Sequence, residues 1–156
     1  MGTLHPWECR IYIDTEFTDI AAPELVSLGM VAEDGREFYG ELNDIPIERC
    51  SSFVLANVLP QLGTVPAQMM SLIALGGAVR TWMQSFEGQK QRPVICYDHP
   101  VDVELLWRLV GGRPAGWKEK LISQMIDHRS REEYFKRNGG RHHALHDARA
   151  NRTACR

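Results

Sequence analysis

A short apolar segment that carries two acids constrains the fold of this chain more than any other feature. Between Arg10 and Phe17, apolar residues alternate with polar ones, which predicts a β-strand. Asp14 and Glu16 lie two residues apart, so a strand presents both carboxylates on one face, with Cα atoms about 6.6 Å apart. Two such anions need a counter-charge, and a divalent cation supplies one through hard oxygen ligands. The alternative at this point is an edge strand with a solvated acidic face.

The other apolar patterns predict a mixed α/β fold with the element order β-β-β-α-β-α-α. After the first strand we predict a strand over 25–32, a turn at 33–35, a strand over 36–42, a helix over 66–86, a strand over 93–97, a helix over 101–110, a mostly helical segment over 117–135 and a final helix from Ala144. Residues 45–65 are ambiguous. A chain of 156 residues fits one domain over residues 1–156.

Asp102 stands in the first turn of the predicted helix over 101–110. The apolar stripe of this helix is formed by Leu105, Leu106 and Leu109. Asp102 precedes these residues by three, four and seven positions, which puts it on the same side of the helix. A carboxylate there is costly unless it is paired or binds metal, although the helix dipole also favours an acid in the first turn. The alternative is an aspartate whose side chain turns outward.

The final predicted helix places another acid among small residues. Its shared face is formed by Ala144, Asp147, Ala148 and Asn151. His142 precedes Asp147 by five residues, so a straight helix would not align the two side chains. On a loop after Gly139-Gly140, however, His142 would reach over a site that Asp147 lines. The alternatives are a weakly amphipathic surface helix and a solvated histidine.

Charge is distributed unevenly along the chain. Residues 1–112 have 7 Lys or Arg against 15 Asp or Glu, whereas residues 113–156 have 11 against 5. This pattern fits an acidic metal site beside a basic segment that faces substrate, or chance variation between helix surfaces. The sequence shows no CxxC pair among its four cysteines, no apolar signal core at its N-terminus and no apolar run that spans a membrane. We therefore expect a cytoplasmic protein with no membrane partner.

Three segments occur in an order that resembles the DEDDh 3′→5′ exonucleases. Residues 11–17 resemble the first motif, an apolar strand ending in D-x-E, and residues 94–106 resemble the second, in which a strand leads through a loop to an Asp at a helix start. Residues 142–148 match the third motif, H-x-A-L-x-D-A, at the spacing of the histidine subtype. The tyrosine subtype has Tyr at the position of His143. The resemblance spans nearly the whole chain and implies an RNase H-like fold, a mixed central β-sheet flanked by helices.

The resemblance also implies a metal-dependent 3′→5′ exonuclease that releases nucleoside 5′-monophosphates. The implied ligands of two Mg²⁺ or Mn²⁺ ions are Asp14, Glu16, Asp102 and Asp147. His142 is the implied general base for the attacking water. Asp98 stands where most family members have Asn, His or another polar residue. This departure leaves open whether Asp98 or Asp102 faces the metals and whether Asp98 contacts metal as well. The spacing to Leu105-Leu106 favours Asp102.

Substrate contacts are predicted at Thr15, Phe17 and Arg141. Thr15 offers an amide and a hydroxyl beside the metals, and Phe17 would stack on terminal bases unless it is a core residue. Five cations before His142 are candidates for phosphate contacts or form a solvated helix face: Arg129, Arg131, Lys136, Arg137 and Arg141.

The expected substrate is the 3′ end of single-stranded RNA or DNA, with RNA favoured, and a homodimer is expected by analogy. The competing hypotheses are an RNase H-like endonuclease, a catalytically silent nucleic-acid-binding module and a structural domain without a site.

Overall fold

Six strands form one mixed β-sheet in the computed structural model, which describes residues 5–156. The strands are β1 (Glu8–Phe17), β2 (Leu25–Ala32), β3 (Glu37–Leu42), β4 (Met69–Met70), β5 (Arg92–Tyr97) and β6 (Lys118–Leu121). Their order across the sheet is β4-β3-β2-β1-β5-β6. The pairs β1–β2 and β2–β3 are antiparallel, whereas β1–β5, β3–β4 and β5–β6 are parallel. The predicted mixed α/β architecture is therefore confirmed.

Helices cover both faces of this sheet. They are α1 (Ser52–Asn57), α2 (Leu72–Gln84), α3 (Pro100–Val110), α4 (His128–Asn138) and α5 (Ala144–Ala154). Ile11 and Ile13 of β1 belong to a core that α2 and α3 complete, whereas Tyr12 packs with Ala154 of α5 on the opposite face. Strand alternation therefore directs Asp14 towards the α5 side. Within residues 5–156, no helix is both long and apolar enough to cross a bilayer.

Two predicted helical segments are only partly helical. Residues 66–68 form a single 3₁₀ turn and residues 69–70 form β4, so the helix predicted over 66–86 is wrong at its start. The helix begins where the Ser71 hydroxyl accepts a hydrogen bond from Ala74 N–H. The mostly helical segment predicted over 117–135 is likewise wrong at 118–121, which forms β6. This edge strand is short and charged, so its sequence lacks the apolar alternation of an inner strand.

The strand register brings acids from two strands to one edge of the sheet. The parallel pairing of β1 and β5 runs as far as Tyr12 opposite Cys96. Asp14 and Asp98 each lie two residues further on, so they stand side by side beyond the last paired position. The carboxyl ends of neighbouring parallel strands are a common place for ligand sites, because the chain leaves the sheet there.

Close packing of α5 on β2 depends on Gly29. A Cβ atom at this position would lie 2.5 Å from Leu145 N and 2.6 Å from the Ala144 carbonyl oxygen. Both atoms belong to the backbone and cannot move aside as a side chain would. The absence of a side chain at Gly29 therefore sets how closely the first turn of α5, which contains Asp147, approaches the sheet.

We predict that Gly29→Ala destabilises the protein by about 1–3 kcal/mol, because the added methyl group pushes α5 away from β2. Gly77→Ala in α2 is the matched control, since its Cβ atom would meet only the end of the Arg80 side chain, at 3.8 Å. The control should gain helix propensity and be neutral or slightly stabilising. Urea unfolding measures both, and equal midpoints for the two variants would contradict the prediction.

Candidate active site

Five carboxylates meet where β1 and β5 end. Carboxylate oxygens of Asp14, Glu16 and Asp147 all lie within 4.8 Å of one another, and so do those of Asp14, Asp98 and Asp102. Asp14 belongs to both groups, so its carboxylate is the centre of the cluster. The structure thus brings together all four acids predicted from the sequence and adds Asp98 to them.

Asp102 is held in place by the residue between the two acids of β1. Asp102 Oδ1 accepts hydrogen bonds from the Thr15 hydroxyl at 2.6 Å and from Thr15 N–H at 3.2 Å. His99 caps the helix, because its Nδ1 accepts from Val101 N–H at 3.2 Å. Both Thr15 donors that were predicted to face substrate are therefore engaged by Asp102. In this arrangement Thr15 positions a carboxylate of the cluster.

Burial and mutual repulsion raise the pKa values of these acids. Burial is the largest cause for Asp14, whose pKa is held well above its usual range, with further contributions from the charges of Asp102 and Asp147. Burial also raises the pKa of Asp102 to about 7 and that of Asp147 to about 6. The pKa of Glu16 rises to about 9 through burial, the charge of Asp147 and a hydrogen bond to it. In the metal-free protein, the cluster therefore keeps protons at neutral pH, and these protons reduce the repulsion between its acids.

The residues of the cluster fit a hard divalent cation. Asp14 Oδ2 is buried and has no hydrogen-bond partner among the described residues. Carboxylate oxygens are the ligands that Mg²⁺ and Mn²⁺ prefer. Desolvated acids crowded together are unfavourable unless opposite charge compensates them, and cations would supply that charge.

His142 lies on the loop that leads into α5, as predicted. Its φ of 65° is the one positive value among the non-glycine residues described, and it follows two glycines that also have positive φ. His142 N–H donates to Asp147 Oδ1 at 3.3 Å, which ties the loop to the cluster. The His142 ring meets the Phe53 ring edge to face, with the centroids 4.8 Å apart.

Gln61 fixes this loop from the other side. Its side-chain amide donates to the carbonyls of Arg141 at 2.9 Å and His142 at 3.3 Å. Gln61 ends the 3₁₀ segment Leu59–Gln61, within the stretch that the sequence left ambiguous. Nothing in the local sequence identifies the residue, because its partner loop is 80 residues away.

His143 occupies a different environment from His142. Its ring stacks on Tyr39 with the centroids 4.6 Å apart and meets His146 edge to face at 5.0 Å. Burial lowers the pKa of both imidazoles, and the charges of Arg141 and Arg131 lower that of His142 further. The lowered pKa favours the neutral form of the His142 imidazole.

The other two predicted substrate contacts already have protein partners. Phe17 is half-buried and packs against the main core, which agrees with the core alternative. Arg141 donates to Glu132 Oε2 at 2.7 Å, and its guanidinium lies 4.4 Å from the Phe135 ring centroid. Neither residue is directed into the carboxylate cluster by these contacts.

Comparison with known proteins identifies relatives for part of the chain. No protein-family model matches it. Two 3′-5′ exoribonucleases of Mycobacterium tuberculosis, from strains CDC 1551 / Oshkosh and ATCC 25618 / H37Rv, are each 44% identical to it over 61 residues. The match spans 38% of this chain and 36% of each relative, so the chain covers about a third of the curated relatives' length.

Solved structures of nucleases share the fold. The nuclease domain of 3′hExo, a DEDDh family member bound to rAMP, superposes over 94% of this chain and 89% of its own, with a TM-score of 0.64 and 15% identity. Cell-death related nuclease 4 superposes over 95% of this chain and 62% of its own, with a TM-score of 0.60 and 13% identity. E. coli exonuclease I in complex with a 5cy-dT13 oligonucleotide superposes over 94% and 39%, with a TM-score of 0.57 and 13% identity. The chain therefore has the RNase H-like fold of the DEDDh exonucleases, as the sequence resemblance implied.

We predict that Asp14→Asn stabilises the metal-free protein at pH 8, because at this pH the wild-type carboxyl must either keep its charge among buried acids or take up a proton on folding. The expected rise in unfolding temperature in EDTA is about 2–8 °C, the shift that about 1–2 kcal/mol produces in a domain of this size. Mn²⁺ at about 100 times its dissociation constant should stabilise the wild-type protein by about 2.7 kcal/mol and the variant far less. Thermal unfolding with and without Mn²⁺ measures both effects.

Glu104→Gln is the matched control, because Glu104 is exposed on the helix that contains Asp102. It should behave as the wild-type protein does. An equal Mn²⁺ effect on Asp14→Asn and wild-type protein would contradict the prediction.

The raised pKa values also predict how stability depends on pH. A folded state that binds protons more tightly than the unfolded state loses stability as pH rises. The metal-free wild-type protein should therefore lose stability from about pH 4.5 to about pH 9, the ordinary and raised pKa values of Glu16.

Proposed function

We propose that this protein is a metal-dependent 3′→5′ exonuclease that shortens single-stranded nucleic acid, RNA in preference to DNA, to nucleoside 5′-monophosphates. The observation that supports this most directly is the pair of carboxylate groups that share Asp14. Two ligand sets joined by one residue match the chemistry of a two-metal phosphodiesterase site. The names of the curated relatives support the choice of RNA.

Each acid has an assignable place in this proposal. Asp14 would bridge two cations, with Glu16 and Asp147 completing one set and Asp102 the other. Divalent cations bound there would polarise the phosphate and lower the pKa of water. Thr15 keeps Asp102 directed at the site through its two hydrogen bonds. Asp98 lies in the same group of oxygens as Asp14 and Asp102, and its Oδ2 accepts a hydrogen bond from Arg131.

His142 is the proposed general base. A neutral imidazole nitrogen would take the proton of the attacking water, an effect typically worth about 10²- to 10⁴-fold in rate. Its backbone hydrogen bond to Asp147 ties the loop to the cluster, and the Gln61 bonds hold the loop from the other side. The charges of Arg141 and Arg131 favour its neutral form.

Three broader expectations accompany this function. We infer a single catalytic domain over residues 1–156, a cytoplasmic location and a homodimer. The one continuous sheet is consistent with the first. The second rests on the sequence features and the third on analogy with nucleases of this fold.

We predict a metal-dependent ladder that shrinks from the 3′ end when 5′-labelled single-stranded RNA is incubated with the protein and Mg²⁺ or Mn²⁺. EDTA and Asp14→Asn should abolish the ladder, and His142→Ala should slow it by about 10²- to 10⁴-fold. His143→Gln is the control for the neighbouring ring and should stay within a few-fold of wild type. DNA of the same sequence gives the sugar preference, and slower cleavage of RNA than of DNA would overturn that part of the proposal.

A circular single strand separates the exonuclease from its alternatives. An exonuclease needs an end and should leave the circle intact, whereas an RNase H-like endonuclease would linearise it. Binding of linear RNA without cleavage under any metal condition would indicate a silent binding module. Either of these outcomes would refute the proposed function.

We predict that the acidic limb of the kcat–pH profile at saturating Mg²⁺ lies below pH 6.5, because the pKa of His142 is lowered from that ordinary value. Arg141→Gln removes a nearby positive charge, which raises the pKa of His142 and should move this limb upward. Arg137→Gln is the control, since Arg137 is exposed on α4 and is not one of the charges that lower the pKa of His142. An unmoved limb in Arg141→Gln would show that another group sets the profile.

A further inference from the structure

One cation of α4 differs from its neighbours in where it lies. The Arg129 side chain is 89% exposed, whereas the Arg131 side chain is 25% exposed. Arg131 Nη1 donates to Asp98 Oδ2 at 3.2 Å. Because Asp98 belongs to the carboxylate group of Asp14 and Asp102, the Arg131 guanidinium lies at the border of the candidate active site.

The helix that contains Arg131 also adjoins the other side of the site. It packs against α5, the helix that contains Asp147. Arg131 therefore belongs to an element that contacts parts of both carboxylate groups.

The guanidinium has hydrogen-bonding capacity left over. Arginine offers five N–H donors, and in the described structure one bond to Asp98 is made. Arg131 Nε is buried and has no hydrogen-bond partner among the described residues. A buried donor without a partner is unfavourable, and a guanidinium edge with free N–H groups matches the oxygens of a phosphate.

We propose that Arg131, oriented by Asp98, binds a non-bridging phosphate oxygen of the nucleotide at the 3′ end of the substrate. This inference rests on the proposed function, because the phosphate is that of the strand being shortened. Asp98 acts as a positioning residue, since its carboxylate directs the guanidinium towards the site. The positive charge of Arg131 would thus offset the repulsion between the substrate phosphate and the carboxylates.

Calorimetric titration with adenosine 5′-monophosphate and with adenosine, both in Mg²⁺, tests the phosphate contact directly. Arg131→Gln should weaken binding of the monophosphate by about 10- to 100-fold, the effect of losing a hydrogen bond to a charged group. It should leave adenosine binding unchanged, since adenosine has no phosphate. Arg131→Lys should recover part of the loss, and Arg129→Gln on the same helix should match the wild-type protein.

Two further measurements separate this role from a structural one. Binding of a single-stranded oligonucleotide should lose about 0.7 from its log–log salt slope in Arg131→Gln, as expected for one phosphate contact. Asp98→Asn should weaken monophosphate binding but not Mn²⁺ binding, and should add nothing to Arg131→Gln. Weaker Mn²⁺ binding with unchanged monophosphate binding would make Asp98 a metal ligand and overturn the positioning role.

The outcomes distinguish this inference from the proposed function. Wild-type protein that cleaves RNA, with Arg131→Gln binding the monophosphate as tightly, would refute the role of Arg131 alone. Wild-type protein that binds the monophosphate through Arg131 but never cleaves would refute the exonuclease and retain the phosphate site.

Discussion

Repulsion between buried carboxylates is the constraint on which the rest of this structure depends. Asp14 is in both oxygen groups, and its neighbours come from β1, α3, α5 and the end of β5. Bringing these like charges together lowers the stability of the folded protein. The apolar core of Ile11, Ile13 and the facing helices therefore has to offset an arrangement that opposes folding until opposite charge is present.

The main chain does much of the positioning at the site. Gly29 permits the start of α5 to approach β2, the Thr15 amide and hydroxyl hold Asp102, and the His142 amide meets Asp147. Backbone groups have little freedom once the sheet is formed. The carboxylates can thus be placed closely without long, flexible side chains, which suits a centre that must bind cations at fixed separations.

The sequence predicted most of the parts that have a strong local signal. Alternation predicted β1 and a continuous apolar run predicted β2. The leucine stripe and the small-residue face placed Asp102 and Asp147 on buried sides of their helices. The errors occur where tertiary pairing overrides local preference, as in the charged edge strand β6 and in β4. The roles of Gln61 and of the Asp98–Arg131 pair depend on contacts between distant segments, which periodicity does not encode.

The hydrogen bonds of Gln61 make the His142 loop depend on a part of the fold that does not hold the carboxylates. The carboxylates are anchored in the sheet and in helices packed on it, whereas the His142 loop is also fastened to a short, half-exposed turn. A sub-global opening of that turn would release the imidazole while the sheet stays folded. Cation binding and proton transfer would then be separable thermodynamic events in one domain, with amide exchange in the loop reporting the second.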